Sequence, residues 1–274
     1  MDSSTFKLHC HGYDLHTQHW EAPNSKGTVV LVHGMGEYAG RYASSVVPTL
    51  LNSGFNVLAT DHFGHGLSEG KRGVCPGYEA VLDSIELTLA KALEFHPNLP
   101  LFLYGHSMGG NAVLGYAMKR KPAVRGVIST SPLLAMAFEP PAWKMMMGRV
   151  LEKLIPGVTL PSGLDASAMS RDPHEVKKYK EDPLIHDRVS GSFVFPFLEM
   201  GRWMMENPEQ LIIPSLLCHG TGDRVTSHNA TESLGRKAPH CQVTLFEEGY
   251  HELQNDLEKD KFLNTVSTWL HKTV

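Results

Sequence analysis

The sequence predicts an α/β protein: a mostly parallel central sheet, helices on both faces, and a helical cap inserted after the sixth strand. Three observations carry this. Short β-branched or leucine-rich runs alternate with segments of helical period, as strand–helix–strand units require. One such run, Leu101-Phe-Leu-Tyr104, passes directly into Gly105-His-Ser107-Met-Gly109 and then into a helix-like segment from Asn111. Between about Phe138 and Glu206 the rhythm stops, and it resumes at Pro214. The core is therefore expected in residues 1–137 and 207–274, with the cap at 138–206.

Taken in order, Phe6–His11 and Tyr13–Trp20 flank Gly12 and suggest a hairpin at the sheet edge. Thr28–Val32 has the continuous apolar character of a strand buried on both faces. It ends in the glycine-rich loop His33-Gly-Met-Gly-Glu37, followed by a helical stretch from about Arg41 to Leu51. Phe55–Thr60 is the next strand, closed by Asp61-His-Phe-Gly-His-Gly66. Tyr78–Phe95 has helical period, with Val81, Leu82, Ile85, Leu89, Ala92 and Leu93 turned to one side. Val124–Thr130 reads as another core strand. The insertion shows Pro140-Pro141, a helical stretch Trp143–Ile155 and several Asp-Pro or Pro-Ser breaks, but no clear strand. Beyond it come a strand at Pro214–His219, a helix at Asn229–Lys237, a strand at Gln242–Phe246 and a helix at about Lys259–His271.

The 274 residues are 42% hydrophobic and 20% charged, which fits a globular chain with a sizeable core. A net charge of −4 argues against a nucleic-acid partner. No apolar run reaches the roughly 18–20 residues needed to cross a bilayer, and the first residues lack a signal-peptide core. Cytoplasmic residence is expected. Cys10, Cys75, Cys218 and Cys241 lack paired metal spacing, and none of the 16 histidines sits in an H-E-x-x-H pattern. Neither a metal nor another cofactor is expected.

Strand, G-x-S-x-G, helix is the setting of a nucleophile elbow, where a sharp turn pushes a serine hydroxyl out at the edge of a sheet. Ser107 is the candidate nucleophile. It needs a base, and the base needs an acid that fixes its tautomer, in the chain order Ser, Asp or Glu, His. Asp223 follows the strand after the insertion, in His219-Gly-Thr-Gly-Asp223, and His251 follows the last strand, in Glu247-Glu-Gly-Tyr-His251. An Asx turn is the plainer reading of Asp223. His219, His228 and His240 compete with His251, but His219 lies at a strand end, where a core hydrogen bond is expected, and the other two flank a helix. The N–H groups of Met108, just after the nucleophile, and Met35, between two glycines, are the candidate oxyanion donors.

The chain resembles the monoacylglycerol lipase and lysophospholipase group, a family with the α/β-hydrolase fold. The likeness rests on His33-Gly-Met-Gly-Glu-Tyr-Ala-Gly-Arg-Tyr42, Asp61-His-Phe-Gly-His-Gly-Leu-Ser-Glu-Gly70 and Gly105-His-Ser-Met-Gly-Gly110. Ser170-Arg-Asp-Pro173, Tyr179-Lys-Glu-Asp-Pro-Leu-Ile185, Gly222-Asp-Arg224 and Tyr250-His-Glu252 agree with it. The resemblance implies hydrolysis of monoacylglycerols to fatty acid and glycerol through an acyl-enzyme, without a cofactor. It also implies that Glu37, Arg41 and Tyr179 shape the glycerol side, a helix-end ion pair being the plainer reading of the first two. Where family members carry a second histidine three residues past the base, this chain has Gln254.

The cap stretch aligns Trp143, Met146, Met147, Val150, Leu151, Leu154 and Ile155 on one face, with Lys144, Arg149 and Lys153 elsewhere. Such a face either packs on the body or forms a greasy lid over an acyl pocket, in transient contact with a membrane or micelle. The expected partner is thus a lipid-like ester. A lysophospholipase, a broad carboxylesterase, an aminopeptidase-like hydrolase and a non-catalytic ligand-binding relative stay open.

Overall fold

The structure, a computed structural model, describes residues 3–139 and 141–274. Pro140 and the side chains of Lys144 and Leu151, read above as parts of the cap, lie outside the described residues. The elements run β1 (Ser4–Cys10), β2 (Tyr13–Trp20), β3 (Gly27–Val32), α1 (Val46–Asn52), β4 (Phe55–Thr60), α2 (Tyr78–Phe95), β5 (Leu101–His106), α3 (Met108–Arg120) and β6 (Gly126–Thr130). Then follow α4 (Ala142–Leu154), β7 (Thr159–Pro161), α5 (Pro173–Glu181), β8 (Arg188–Ser190) and α6 (Gly191–Glu206). The chain closes with β9 (Ser215–Gly220), α7 (His228–Lys237), β10 (Cys241–Phe246) and α8 (Lys259–Thr273).

Eight strands form one sheet in the order β1-β2-β4-β3-β5-β6-β9-β10. The first two pair antiparallel as a hairpin, β2 pairs antiparallel with β4, and every later pairing is parallel. This is the α/β-hydrolase fold. Alternation along the strands divides the core between the two faces. Val30, Leu103, Val127 and Leu217 point into a cluster with residues of α2 and α3. Their neighbours Val29, Phe102, Ile128 and Leu216 point into another with residues of α1 and α8. Burial on both sides explains why these strands read as unbroken apolar runs.

Local departures have local causes. The helix expected from Arg41 is split into a 3₁₀ turn at Ala39–Ser44 and α1, with Ser45 non-helical between them (φ −138°, ψ −76°). Pro48 sits in the first turn of α1, and its ring would clash with the carbonyl of Ser44 if the helix ran through. On α2 the expected inner residues Val81, Leu82, Ile85, Leu89 and Ala92 are buried, but Leu93 is 46% exposed. One position past Ala92 turns about 100° round the axis, off the buried stripe.

The insertion does contain strand structure: β7 and β8 pair antiparallel over three residues each. They are too short to show a period. In α6, Phe193, Phe195 and Phe197 are buried and Pro196 lies inside the helix, so no one-sided stripe marks it in the sequence. Gly148 of α4 meets α6 closely: a Cβ there would stand 2.9 Å from the Phe195 ring. With its glycine side turned inward, α4 leaves Trp143, Met146, Met147, Val150 and Leu154 exposed, as is Ile155 just past its end.

A Cβ on Gly109 would meet the carbonyl oxygen of Val32, so α3 approaches β3 too closely for any other residue. Gly109→Ala is expected to destabilise the protein by about 1–3 kcal/mol. Gly157→Ala, where a Cβ has open space, should stay within about 0.5 kcal/mol. Thermal unfolding of the two variants checks this, and equal midpoints would contradict the close approach.

Candidate active site

Ser107 stands between β5 and α3 with φ 56° and ψ −115°, a conformation that costs a non-glycine residue about 1–3 kcal/mol. The surrounding backbone holds it there. Its N–H donates to the Thr130 carbonyl at 2.8 Å, and its own carbonyl accepts from the N–H groups of Asn111 and Leu133, both at 3.0 Å. Glycine on either side is obligatory, because a Cβ on Gly105 would meet the carbonyl of Gly109.

Asp223 uses its two oxygens differently. Oδ1 accepts from the backbone N–H groups of Val225 (2.7 Å) and Thr226 (3.1 Å), which is the Asx turn of the plainer reading. Oδ2 faces the His251 Nδ1 at 2.7 Å, the Thr226 hydroxyl at 2.9 Å and the His219 Nε2 at 3.0 Å. The other ring nitrogen of His251 lies 2.9 Å from Ser107 Oγ. With Nδ1 against a carboxylate, the imidazole carries its proton on Nδ1 and offers a lone pair to the serine hydroxyl. The three side chains, distant in sequence, thus meet at the C-terminal ends of β5, β9 and β10, where loops of a parallel sheet gather.

Burial raises the pKa of Asp223, but His251 and the hydrogen bond from His219 outweigh it and hold the carboxyl well below its ordinary value. Burial lowers that of His251, yet the Asp223 charge overcomes this and leaves it above the ordinary 6.5. His106, next to Ser107, is pushed down to about 3 by burial and by His251, and stays neutral.

The insertion helps hold the base. The His251 N–H donates to the Ala168 carbonyl (3.4 Å) and the Glu252 N–H to the Met169 carbonyl (2.8 Å). Ser170 Oγ donates to the Asn255 carbonyl at 2.8 Å, and Arg171 Nε pairs with Asp256 at 2.9 Å. From the core side, Ser131 Oγ donates to the His251 carbonyl at 2.8 Å. The Ser170-Arg-Asp-Pro173 stretch therefore ties the cap to the loop of the base.

The loop after β3 is fixed from within. The His62 N–H donates to His33 Nε2 at 2.9 Å, which leaves the proton on His33 Nδ1, 2.8 Å from the Gly34 carbonyl. The Gly34 N–H in turn donates to Glu37 Oε1 at 2.7 Å. Met35, held in this loop, lines the same cavity as Ser107 and Met108. Met108 opens α3, where its N–H has no acceptor within the helix.

Arg41 is engaged twice: at 2.6 Å with Glu37 and, through both Nη atoms, at 2.7 and 2.8 Å with Glu252. Its guanidinium lies over the Tyr179 ring, 4.9 Å from the centroid. Burial raises the pKa of Glu37 against the pull of Arg41, while for Glu252 Arg41 outweighs burial and lowers it. Glu37, Tyr179 and Glu252 line a small recess that also touches Ser107 and His251. Gln254 is buried and is not among the residues lining that recess.

Glu252, Thr226, Ser131 and His219 all touch the site without having been assigned to it from the sequence. Glu252 adjoins the predicted base in the Tyr250-His-Glu252 stretch, which gives no sign of its contact with Arg41. Ser131 betrays nothing until its φ of 43° is seen.

Beside Ser107 lies a cavity walled by apolar side chains including Leu133, Met136, Leu164, Val194 and Phe197. A more polar hollow, sharing Met35 with this cavity, is lined by Tyr179, Asp182, His186 and Arg188.

Residues 23–258 match the family model described as Serine aminopeptidase, S33. A monoacylglycerol lipase of Mycolicibacterium smegmatis is 32% identical over 260 residues, covering 89% of this chain and 88% of that protein. An uncharacterized abhydrolase domain-containing protein of Dictyostelium discoideum is 35% identical over 90% of this chain, which spans only 26% of its length. Among solved structures, the monoacylglycerol lipase of Paleococcus ferrophilus superposes with a TM-score of 0.87 at 34% identity, covering 95% of this chain and 99% of that one. With its fold, its elbow serine and matches over most of its length, the chain belongs to the Serine aminopeptidase, S33 family of hydrolases.

Proposed function

We propose that the protein is a serine hydrolase that cleaves monoacylglycerols to fatty acid and glycerol. The observation that carries this is the hydrogen-bonded line Asp223–His251–Ser107 ending at a cavity lined mostly by apolar side chains. Ser107 Oγ attacks the ester carbonyl while His251 Nε2 takes its proton, and Asp223 stabilises the imidazolium that forms. The N–H groups of Met35 and Met108 hold the oxyanion. His251 then protonates the departing glycerol oxygen. In the second half it draws a proton from water, which hydrolyses the acyl-enzyme and frees Ser107.

On the alcohol side, Glu37 and Tyr179 shape a pocket for an uncharged polyol, with Arg41 behind them. Because two carboxylates already occupy Arg41, it offers no free cation to a phosphate. That favours a glyceryl ester over a lysophospholipid. The same engagement leaves neither Glu37 nor Glu252 as a free acidic anchor for a peptide amine.

The exposed apolar face of α4 supports transient contact with a lipid surface. Arg149 of that helix pairs with Glu199 at 2.6 Å and stacks on Phe195. No helix among the described residues is long and apolar enough to cross a membrane.

Ser107→Ala should lower turnover of a p-nitrophenyl ester by at least about 10³-fold with an unchanged unfolding midpoint, and near-native turnover would refute the assignment. The base must be neutral to act, and its pKa is raised. The acid limb of kcat/KM should therefore have its midpoint above 6.5, and activity undiminished down to about pH 5 would contradict this. Assayed side by side, monoacylglycerol should be turned over at least about tenfold faster than lysophosphatidate or lysophosphatidylcholine of the same chain. Met146→Glu with Leu154→Glu should slow hydrolysis of vesicle-borne monoacylglycerol several-fold, about 1 kcal/mol, and leave a soluble short-chain ester unaffected. Equal loss on both would remove the lipid-contact role.

A further inference from the structure

His219, at the end of β9, is wholly buried, and so is the carboxylate it touches. Its Nε2 lies 3.0 Å from Asp223 Oδ2 and 3.2 Å from the Thr226 carbonyl. An ionised carboxylate and a carbonyl both only accept, so Nε2 must carry the proton. The opposite nitrogen, Nδ1, lies 2.7 Å from the hydroxyl of Thr231 on α7, which donates to its lone pair. Each ring nitrogen has a partner of the complementary kind, and the tautomer is thereby fixed.

A core histidine satisfied by chance would have no reason to aim at the one oxygen that faces the base. Oδ2 receives His251 on one side and His219 on the other, at 2.7 and 3.0 Å. The third neighbour, Thr226 Oγ, has a single proton to divide between Oδ2 at 2.9 Å and the Ser131 carbonyl at 3.0 Å. Apart from His251 itself, His219 supplies the ring donor on that oxygen, nearer to it at 3.0 Å than to the Thr226 carbonyl at 3.2 Å.

We propose that His219 is a positioning residue for the hydrolysis, extending the line to Thr231–His219–Asp223–His251–Ser107. Its Nε2–H stops the carboxylate from turning about its own axis. It also takes a share of the negative charge that His251 would otherwise feel. Without it the carboxylate is both looser and more basic toward His251, so turnover falls and the imidazolium is held more tightly. Burial lowers the pKa of His219 against the pull of Asp223, so the ring stays a neutral donor. The other titratable groups around the pair are few. His228 faces His219 at 6.4 Å between ring centroids and His106 faces His251 at 4.9 Å, while Glu252 and Glu37 act on His251 from the recess.

This inference rests on the triad reading above, and the test separates the two. His219→Leu, His219→Gln, Thr231→Val and Asp223→Asn would be assayed with p-nitrophenyl butyrate across pH 5–9, with unfolding midpoints measured in parallel. His219→Leu should lower kcat about 10- to 100-fold, with KM within about twofold. It should also move the acid limb of kcat/KM upward by about half a pH unit or more. His219→Gln, whose amide N–H reaches the same place, should recover kcat to within about threefold and return the limb. Should His219→Leu fail to fold, Thr231→Val removes the Nδ1 anchor alone and should shift the limb in the same direction with a smaller loss of kcat. A wild-type limb in whichever of these two variants folds, or a kcat loss that Gln does not restore, overturns the proposal. Active Asp223→Asn would instead sink the triad reading, whereas inactive Asp223→Asn beside a wild-type His219→Leu would remove only His219.

Discussion

A carboxylate with no exposed surface, that of Asp223, is the constraint on which the rest of the site depends. Removing such a charge from water costs several kcal/mol unless donors replace the solvent. Here they come from two backbone N–H groups of its own turn, the Thr226 hydroxyl and two imidazoles. Those donors sit on the end of β9, on the turn after it and on the loop after β10. Satisfying the charge therefore fixes the spacing of all three. Once Asp223 is satisfied, His251 has one orientation open to it, and that orientation delivers its free nitrogen to Ser107.

The inserted segment divides into two parts with different physics. Residues 166–172 are stitched to the loop of the base by backbone pairing at Ala168 and Met169 and by the Arg171–Asp256 ion pair. That part is scaffold. The front part, α4, meets α6 of the same segment through Gly148 and keeps its large apolar side chains outward. A helix that packs by its small residues and exposes its greasy ones is built to find another apolar surface, in the proposed function that of the substrate's own lipid phase.

Much of this could be read from the residues, and the parts that could not have physical reasons. Core strands such as Phe55–Thr60 announce themselves because both faces are buried, so every residue but Asn56 is apolar or β-branched. Tyr78–Phe95 announces itself because one face is buried and the other is wet. That Ser107, Asp223 and His251 meet was legible because each follows a core strand, and the sheet brings strand ends together. In α6, by contrast, buried Phe193, Phe195 and Phe197 recur at every second residue around Pro196, which mimics a strand. The two-carboxylate clasp on Arg41 joins residues 211 positions apart, a relation no local pattern carries. His219 was legible as a buried, hydrogen-bonded histidine; which oxygen it would address was not.

The most direct test of the convergence of Ser107, Asp223 and His251 is to treat the protein with a fluorophosphonate and locate the adduct by peptide mass spectrometry. The phosphonylated residue should be Ser107 in the native protein, with labelling slowed by at least about 10³-fold when His251 is replaced by alanine. An unlabelled Ser107, or one that reacts as fast without His251 as with it, would contradict the account.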